Sequence, residues 1–225
     1  MGNSCKIDGG INLGSSWCAI RTYAAHAEEM GVESPQEPVF FLKPPGSMVE
    51  SPEHNPATIE LSGNNRIQHE VELVVRIGGG IDPEIEEICV GLDLTDRIIQ
   101  SEAKEGGLPW TRAKSFKGSA VVGNWLPIKV EDLPSLHHGW RLELTVNGES
   151  RTTADTSTML HSPLDLLASL SEWAPLRPGD LIFTGTPKGV GWLNDGDLAE
   201  ATLTNPDGEV KSSLRVYFSA PSSLK

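Results

Sequence analysis

No stretch of this chain is apolar for long enough to span a membrane as a helix, so no membrane partner is expected. Positive charge is scarce. Lys and Arg number 18 against 31 Asp and Glu, for a formal net charge of -13. Such a chain is a poor general ligand for nucleic acid or anionic lipid, and no nucleic-acid partner is expected. The balance is compatible with cation binding, with most of it ascribed to solvated surface. Cysteine is sparse too. Cys5, Cys18 and Cys89 are widely spaced and form no Cys-x-x-Cys pair. That points to reduced thiols and a cytoplasmic home. No secretory leader is evident. Met1-Gly2-Asn3-Ser4-Cys5-Lys6 has Lys6 where acylation requires Ser or Thr. Also missing are a Gly-x-Ser-x-Gly elbow, a zinc-type Cys/His cluster, a Walker A loop and a dinucleotide fingerprint. No repeat or low-complexity linker divides the 225 residues.

What is there reads as many short strands with a few modest helices. Strands are expected at Trp17–Ile20, Val39–Leu42 (a buried-strand pattern), Ala57–Ser62 and Ile67–Gly78, with a turn at Gly63-Asn64-Asn65. Asp82–Ile88 reads as a helical turn. A short helix from Tyr23 to Met30 stops at Gly31. Asp96 is a candidate cap for a helix from Arg97 to Glu105, ended by Gly106-Gly107. Leu142–Val146 alternates and runs into Asn147-Gly148, a strong hairpin signal. Ser162-Pro163 opens a helix to about Trp173. Leu198–Thr204 and Glu209–Phe218 flank the turn Asn205-Pro206-Asp207-Gly208. Helices and strands do not alternate, so a doubly wound sheet is not expected. The fold class is mainly β with a few short helices (α+β), a sandwich or roll. Residues 1–16 read as an N-terminal arm and 17–225 as one domain.

The chemistry starts at His69-Glu70-Val71-Glu72-Leu73. A strand has a side-chain period of two, so Glu70 and Glu72 share a face, with Val71, Leu73, Val75 and Ile77 on the other. Adjacent carboxylates disfavour double ionisation. Either water screens them on an open sheet face or a divalent cation sits between them. The cation reading needs more oxygen ligands. Asp93 interrupts an apolar strand and offers one, although spacing alone does not bring it to the pair. His26 and Glu29 stand at i, i+3 on the first helix. A Glu bonded to a His fixes its tautomer and raises its basicity, as a general base requires. The plain alternative is a surface His beside an ordinary helix Glu. Lys114 near a cation could stabilise an anion, although a solvated Lys is the default. Arg97 and Gln100 lie one helical turn apart. Thr184–Gly191 is a Gly-rich loop whose backbone N–H groups could hold a carboxylate, or simply a constrained turn.

Taken in order, these segments resemble the fumarylacetoacetate hydrolase (FAH) family. The matching pieces are Arg21-Thr22-Tyr23-Ala24-Ala25-His26 with Glu29, Phe41-Leu42-Lys43-Pro44 and His69–Leu73. Further on come Leu92-Asp93-Leu94-Thr95 with Arg97 and Gln100, and Gly107-Leu108-Pro109-Trp110 with Lys114. Val146-Asn147-Gly148-Glu149 and Pro178–Gly191 complete the series. The short length resembles the single-domain, acylpyruvase-like branch. The resemblance implies an FAH-type mixed β-sandwich roll and a homodimer. It implies Mg²⁺ or Mn²⁺ on Glu70, Glu72 and Asp93. It places His26 and Glu29 as the water-activating pair on a lid and Lys114 as the stabiliser of an anionic intermediate. Arg21, Tyr23, Arg97, Gln100 and Thr186 would bind a small keto-acid substrate. The activity so implied is metal-dependent hydrolysis of 2,4-dioxo acids (acylpyruvates) to pyruvate and a carboxylate. The alternatives are an oxaloacetate-type decarboxylase, a 2-hydroxyhepta-2,4-diene-1,7-dioate-type isomerase or decarboxylase, and a catalytically silent metal- and dicarboxylate-binding member. The family often has Asn where this chain has Thr22, and an acidic or polar residue where it has Ala25.

Overall fold

The strand Val71–Ile77 is the organising element of the computed structural model, which describes residues 14–29, 31, 33–63, 66–80 and 82–221. Expectations placed on Cys5, on either end of the chain and on Asn64-Asn65 lie outside those residues. Val71, Leu73, Val75 and Ile77 all enter the main hydrophobic core. Val74, on the opposite face, enters a smaller apolar cluster with Cys18, Cys89, Ala120, Val122, Leu181 and Phe183. The strand is therefore buried on both sides, and Glu72 belongs to the second face.

An eight-stranded sheet surrounds it. Its order is Phe40–Lys43, Ser16–Ala19, Leu181–Phe183, Val71–Ile77, Ile85–Asp93, Ala120–Val122 and Met48–Glu50, with Leu126–Pro127 paired beside Ile85–Asp93. Most pairings are antiparallel, but Ser16–Ala19 runs parallel to Leu181–Phe183. A five-stranded sheet packs on the core side, ordered Glu149–Asp155, Arg141–Val146, Leu198–Thr204, Val210–Ser219 and Ala57–Glu60. Its Leu142, Leu144, Ala201, Leu203, Leu214 and Val216 share the core with Val71–Ile77. This is the sandwich of two inner faces that alternation predicts. A small sheet of Gly191–Leu193, Ile67–His69 and Thr95–Asp96 completes the architecture.

Local signals account for the boundaries. Asp96 accepts from the Ile99 N–H and starts the Arg97–Glu105 helix. Ser162 and Asp165 form a reciprocal capping box for Pro163–Ser171. Asn147 and Gly148 take φ of 54 and 77, the paired positive values of a tight hairpin turn.

Four expectations need correction. Asp82–Ile88 is not a helical turn, because Ile85–Asp93 is a strand whose backbone bonds are supplied by Val71–Ile77. The Phe40–Lys43 strand is not buried throughout. It lies at the sheet edge, with Val39 and Leu42 exposed. The predicted single strand Ile67–Gly78 breaks at Glu70 into Ile67–His69 and Val71–Ile77. The two halves pair with different sheets, so Glu70 sits at a junction. Ser16, placed in the arm, already belongs to the first strand. Among the described residues, no helix is long and apolar enough to cross a membrane.

Candidate active site

Strand register brings the third acid to the first two. Val71 pairs with Leu92 and Glu72 with Gly91, so Glu70 falls opposite Asp93. The Asp93 N–H donates to the Glu70 carbonyl at 2.8 Å. Gly91, facing Glu72, leaves room where a Cβ would lie 2.6 Å from Val74. One carboxylate oxygen from each of Glu70, Glu72 and Asp93 lies within 4.8 Å of the others. All three residues are buried, at 5%, 1% and 1% exposure. That removes the open, water-screened sheet face as an explanation of the pair.

Cations offset part of the charge. Lys114 Nζ donates to Glu70 Oε2 at 2.6 Å and to Asp93 Oδ2 at 2.7 Å. Arg97 donates to the other oxygen of Glu70, to Gln68 Oε1 at 2.6 Å and to Gln100 Oε1 at 2.8 Å. Burial by itself would raise the Glu70 carboxyl, but Arg97 and Lys114 outweigh it and hold the group well below the usual range. Burial disfavours the Lys114 cation, and Asp93 and Glu70 outweigh that in turn.

Glu72 is different. Its Oε2 accepts from the Gly185 N–H at 2.7 Å. Burial, Asp93 and Glu70 all push its carboxyl up. An acid destabilised by two neighbouring acids is relieved by an added cation. The donor set is oxygen alone, which fits hard divalent ions such as Mg²⁺ or Mn²⁺.

Sequence reasoning gave no role to Lys43, and the structure places it in this cluster. Lys43 Nζ lies 2.7 Å from Asp93 Oδ1. It also donates to the Leu94 and Ser119 carbonyls at 3.1 and 2.7 Å. The available signal was a lysine closing the apolar run Val39–Leu42.

His26 lines the same cleft as the acids, with Arg21, Arg97, Gln100, Lys114 and Thr186. Its Nδ1 lies 3.2 Å from Glu29 Oε2. A carboxylate only accepts, so Nδ1 carries the proton and Nε2 is left as the basic nitrogen. The Gly-rich loop does hold carboxylates, and both are the protein's own. Gly185 donates to Glu72, and the Gly189 N–H donates to both oxygens of Glu29 at 3.3 Å. Thr186 Oγ1 donates to the Val71 carbonyl at 2.9 Å, which fixes the loop against the central strand.

Thr22 is fully satisfied. Its hydroxyl donates to the Thr184 carbonyl at 2.6 Å, which anchors the start of the His26 helix. Ala25 faces solvent. Tyr23, expected at the substrate, is instead a buried core residue outside the cleft wall. Burial, Glu72 and Asp155 raise its phenol. His69 is buried beside Glu70, is not in the cleft wall, and is lowered to about 4 by burial and Arg151.

Comparison with known proteins places this geometry in context. Residues 15–214 match the fumarylacetoacetate (FAA) hydrolase C-terminal family. Oxaloacetate tautomerase FAHD1, mitochondrial, of Rattus norvegicus is 41% identical over 207 residues, covering 88% of this chain and 90% of its own. Oxaloacetate tautomerase YcgM of Escherichia coli is 37% identical, covering 83% and 86%. The solved structure of fumarylpyruvate hydrolase from Pseudomonas aeruginosa, in complex with Mn²⁺ and pyruvate, superposes with a TM-score of 0.82. It is 33% identical and covers 95% of this chain and 94% of that one.

Proposed function

The chain belongs to the fumarylacetoacetate (FAA) hydrolase family, and from that premise we propose that it is a divalent-cation-dependent enzyme moving a proton on a small 2-oxo acid. The reaction is keto–enol tautomerisation of an oxaloacetate-class substrate. The observation that carries the reading is the convergence of His26, backed by Glu29, with the buried acids Glu70, Glu72 and Asp93 in one cleft.

Glu70, Glu72 and Asp93 would hold Mg²⁺ or Mn²⁺, which when bound supplies Lewis-acid polarisation of a 2-oxo group. His26 takes a proton from C3 of the substrate. The electron pair moves onto the 2-oxygen, and a proton delivered there completes the enol. Glu29 keeps Nε2 basic through the Nδ1 contact. Lys114 offers its ammonium to the charge that develops. Arg97, Gln100 and Thr186 orient the acid. The working unit in this reading is a homodimer.

A second reading follows from the likeness to the fumarylpyruvate hydrolase. The same base activates water against the 4-carbonyl of a 2,4-dioxo acid, and the C3–C4 bond breaks to give pyruvate and a carboxylate. One assay separates the two. The enol absorbance of oxaloacetate and of acetylpyruvate is followed with Mg²⁺ and with EDTA, and products are identified. Metal-dependent oxaloacetate interconversion without pyruvate or CO₂ supports the first reading. Pyruvate and acetate from acetylpyruvate support the second. Neither would sink both.

A further inference from the structure

The Arg97–Glu105 helix presents Arg97, Gln100 and Lys104 to the cleft at i, i+3 and i+7, one face of the helix. Arg97 donates to Gln100 and to Glu70. Lys104 forms no ion pair among the described residues. Its ammonium stands 5.1 Å over the Trp110 ring at the cleft mouth. Partial desolvation, then Arg97, Arg21 and Lys114, disfavour its positive charge more than Glu70 favours it. Arg21 lines the same cleft, donates to the Glu33 carbonyl at 3.0 Å and likewise has no carboxylate partner among the described residues. Its φ of 54 is an unusual conformation for a non-glycine residue and suggests a functional constraint. The inner cations of the cleft face the acid trio. The outer two, Lys104 and Arg21, line the same cleft without a carboxylate bonded to either among the described residues. Like charges gathered in one cleft are stabilised by an incoming anion.

We infer that Lys104, with Arg21, binds the second carboxylate of a dicarboxylic 2-oxo acid and sets the preference for diacids over monoacids. The inference rests on the 2-oxo acid reading above. Oxaloacetate carries a second carboxylate and pyruvate does not, so the pair isolates the contribution of that group. Lys104 is exposed on its helix, so its replacement leaves the core intact.

The test is calorimetric titration of the Mg²⁺-loaded protein with oxaloacetate and with pyruvate, for wild type, Lys104→Gln and Lys104→Arg. Wild type should bind oxaloacetate roughly tenfold tighter. Lys104→Gln should lose most of that ratio with pyruvate affinity unchanged, and Lys104→Arg should keep it. A Lys104→Gln protein with the wild-type ratio, or one weakened equally for both acids, overturns the inference. Equal wild-type affinity for the two acids overturns it too, but leaves the 2-oxo acid reading standing. Binding of neither acid overturns both.

Discussion

Lys43 Nζ lies 2.7 Å from Asp93 Oδ1, and the two side chains are 0% and 2% exposed. A buried ion pair adds little net stability, but removing Lys43 leaves the buried Asp93 Oδ1 without its cation, with only Lys114 on Oδ2 to compensate the charge. Lys43→Met should therefore destabilise the metal-free protein by about 3 kcal/mol. Urea unfolding checks this, and Mg²⁺ should recover part of the loss by compensating Asp93. An unchanged midpoint would mean the pair is not formed.

His26 and Glu70 should separate chemistry from metal binding. His26→Ala should lower turnover by roughly 10²- to 10⁴-fold, the usual contribution of a general base. Its Mg²⁺ affinity should stay at the wild-type value. Glu70→Ala should abolish Mg²⁺ binding by titration calorimetry. Metal-dependent turnover in Glu70→Ala would refute the assignment of the ligands.

The sign of the pH dependence follows from Glu72. Burial, Asp93 and Glu70 raise its folded pKa above the unfolded value. Its protonated form therefore favours the fold, fully below the unfolded pKa, and that contribution is lost as pH rises through the folded pKa. Glu70 acts in another window. Its lowered pKa contributes stability that is full above the ordinary carboxylate range and is lost progressively as pH falls from that range through the folded pKa. The metal-free Tm should fall as pH rises above the carboxylate range. Mg²⁺ affinity should rise across the same interval, because the proton on Glu72 competes with the ion. A flat Mg²⁺ affinity across that interval would contradict the prediction.

Gly185 should tolerate no side chain. A Cβ there would lie 2.0 Å from Thr22 Oγ1, and the residue has φ +91. Gly185→Ala should cost about 2 kcal/mol in strain and weaken Mg²⁺ binding, since its N–H holds Glu72. Thermal unfolding with and without Mg²⁺ reads both effects.

Much of this site was legible in the chain, because its parts follow local periods. Glu70 and Glu72 were found from strand alternation, and His26 with Glu29 from helical spacing. Asp93 was recognised as an anomaly, but its meeting with Glu70 depends on hairpin register. A bulge between Arg76 and Ile77 shifts that register, and no local rule gives it. Lys43 was hidden because its burial comes from Leu94 and Ser119, far along the chain. Asp82–Ile88 reads locally as a helical turn, whereas the pairing of Ile85–Asp93 with Val71–Ile77 overrides local preference. Lys104 was visible in principle at i+7 from Arg97, but an exposed lysine on a helix draws no attention until its neighbours are known.

The loop from Thr184 to Gly189 grips Glu72 at one end and Glu29 at the other. The candidate metal ligand and the partner of the candidate base are thus measured from a single datum. The length of chain between the two grips sets the distance between them. Insertions or deletions between Gly185 and Gly189 should therefore disturb the alignment of base and metal more than equal changes in the strands that carry the acids.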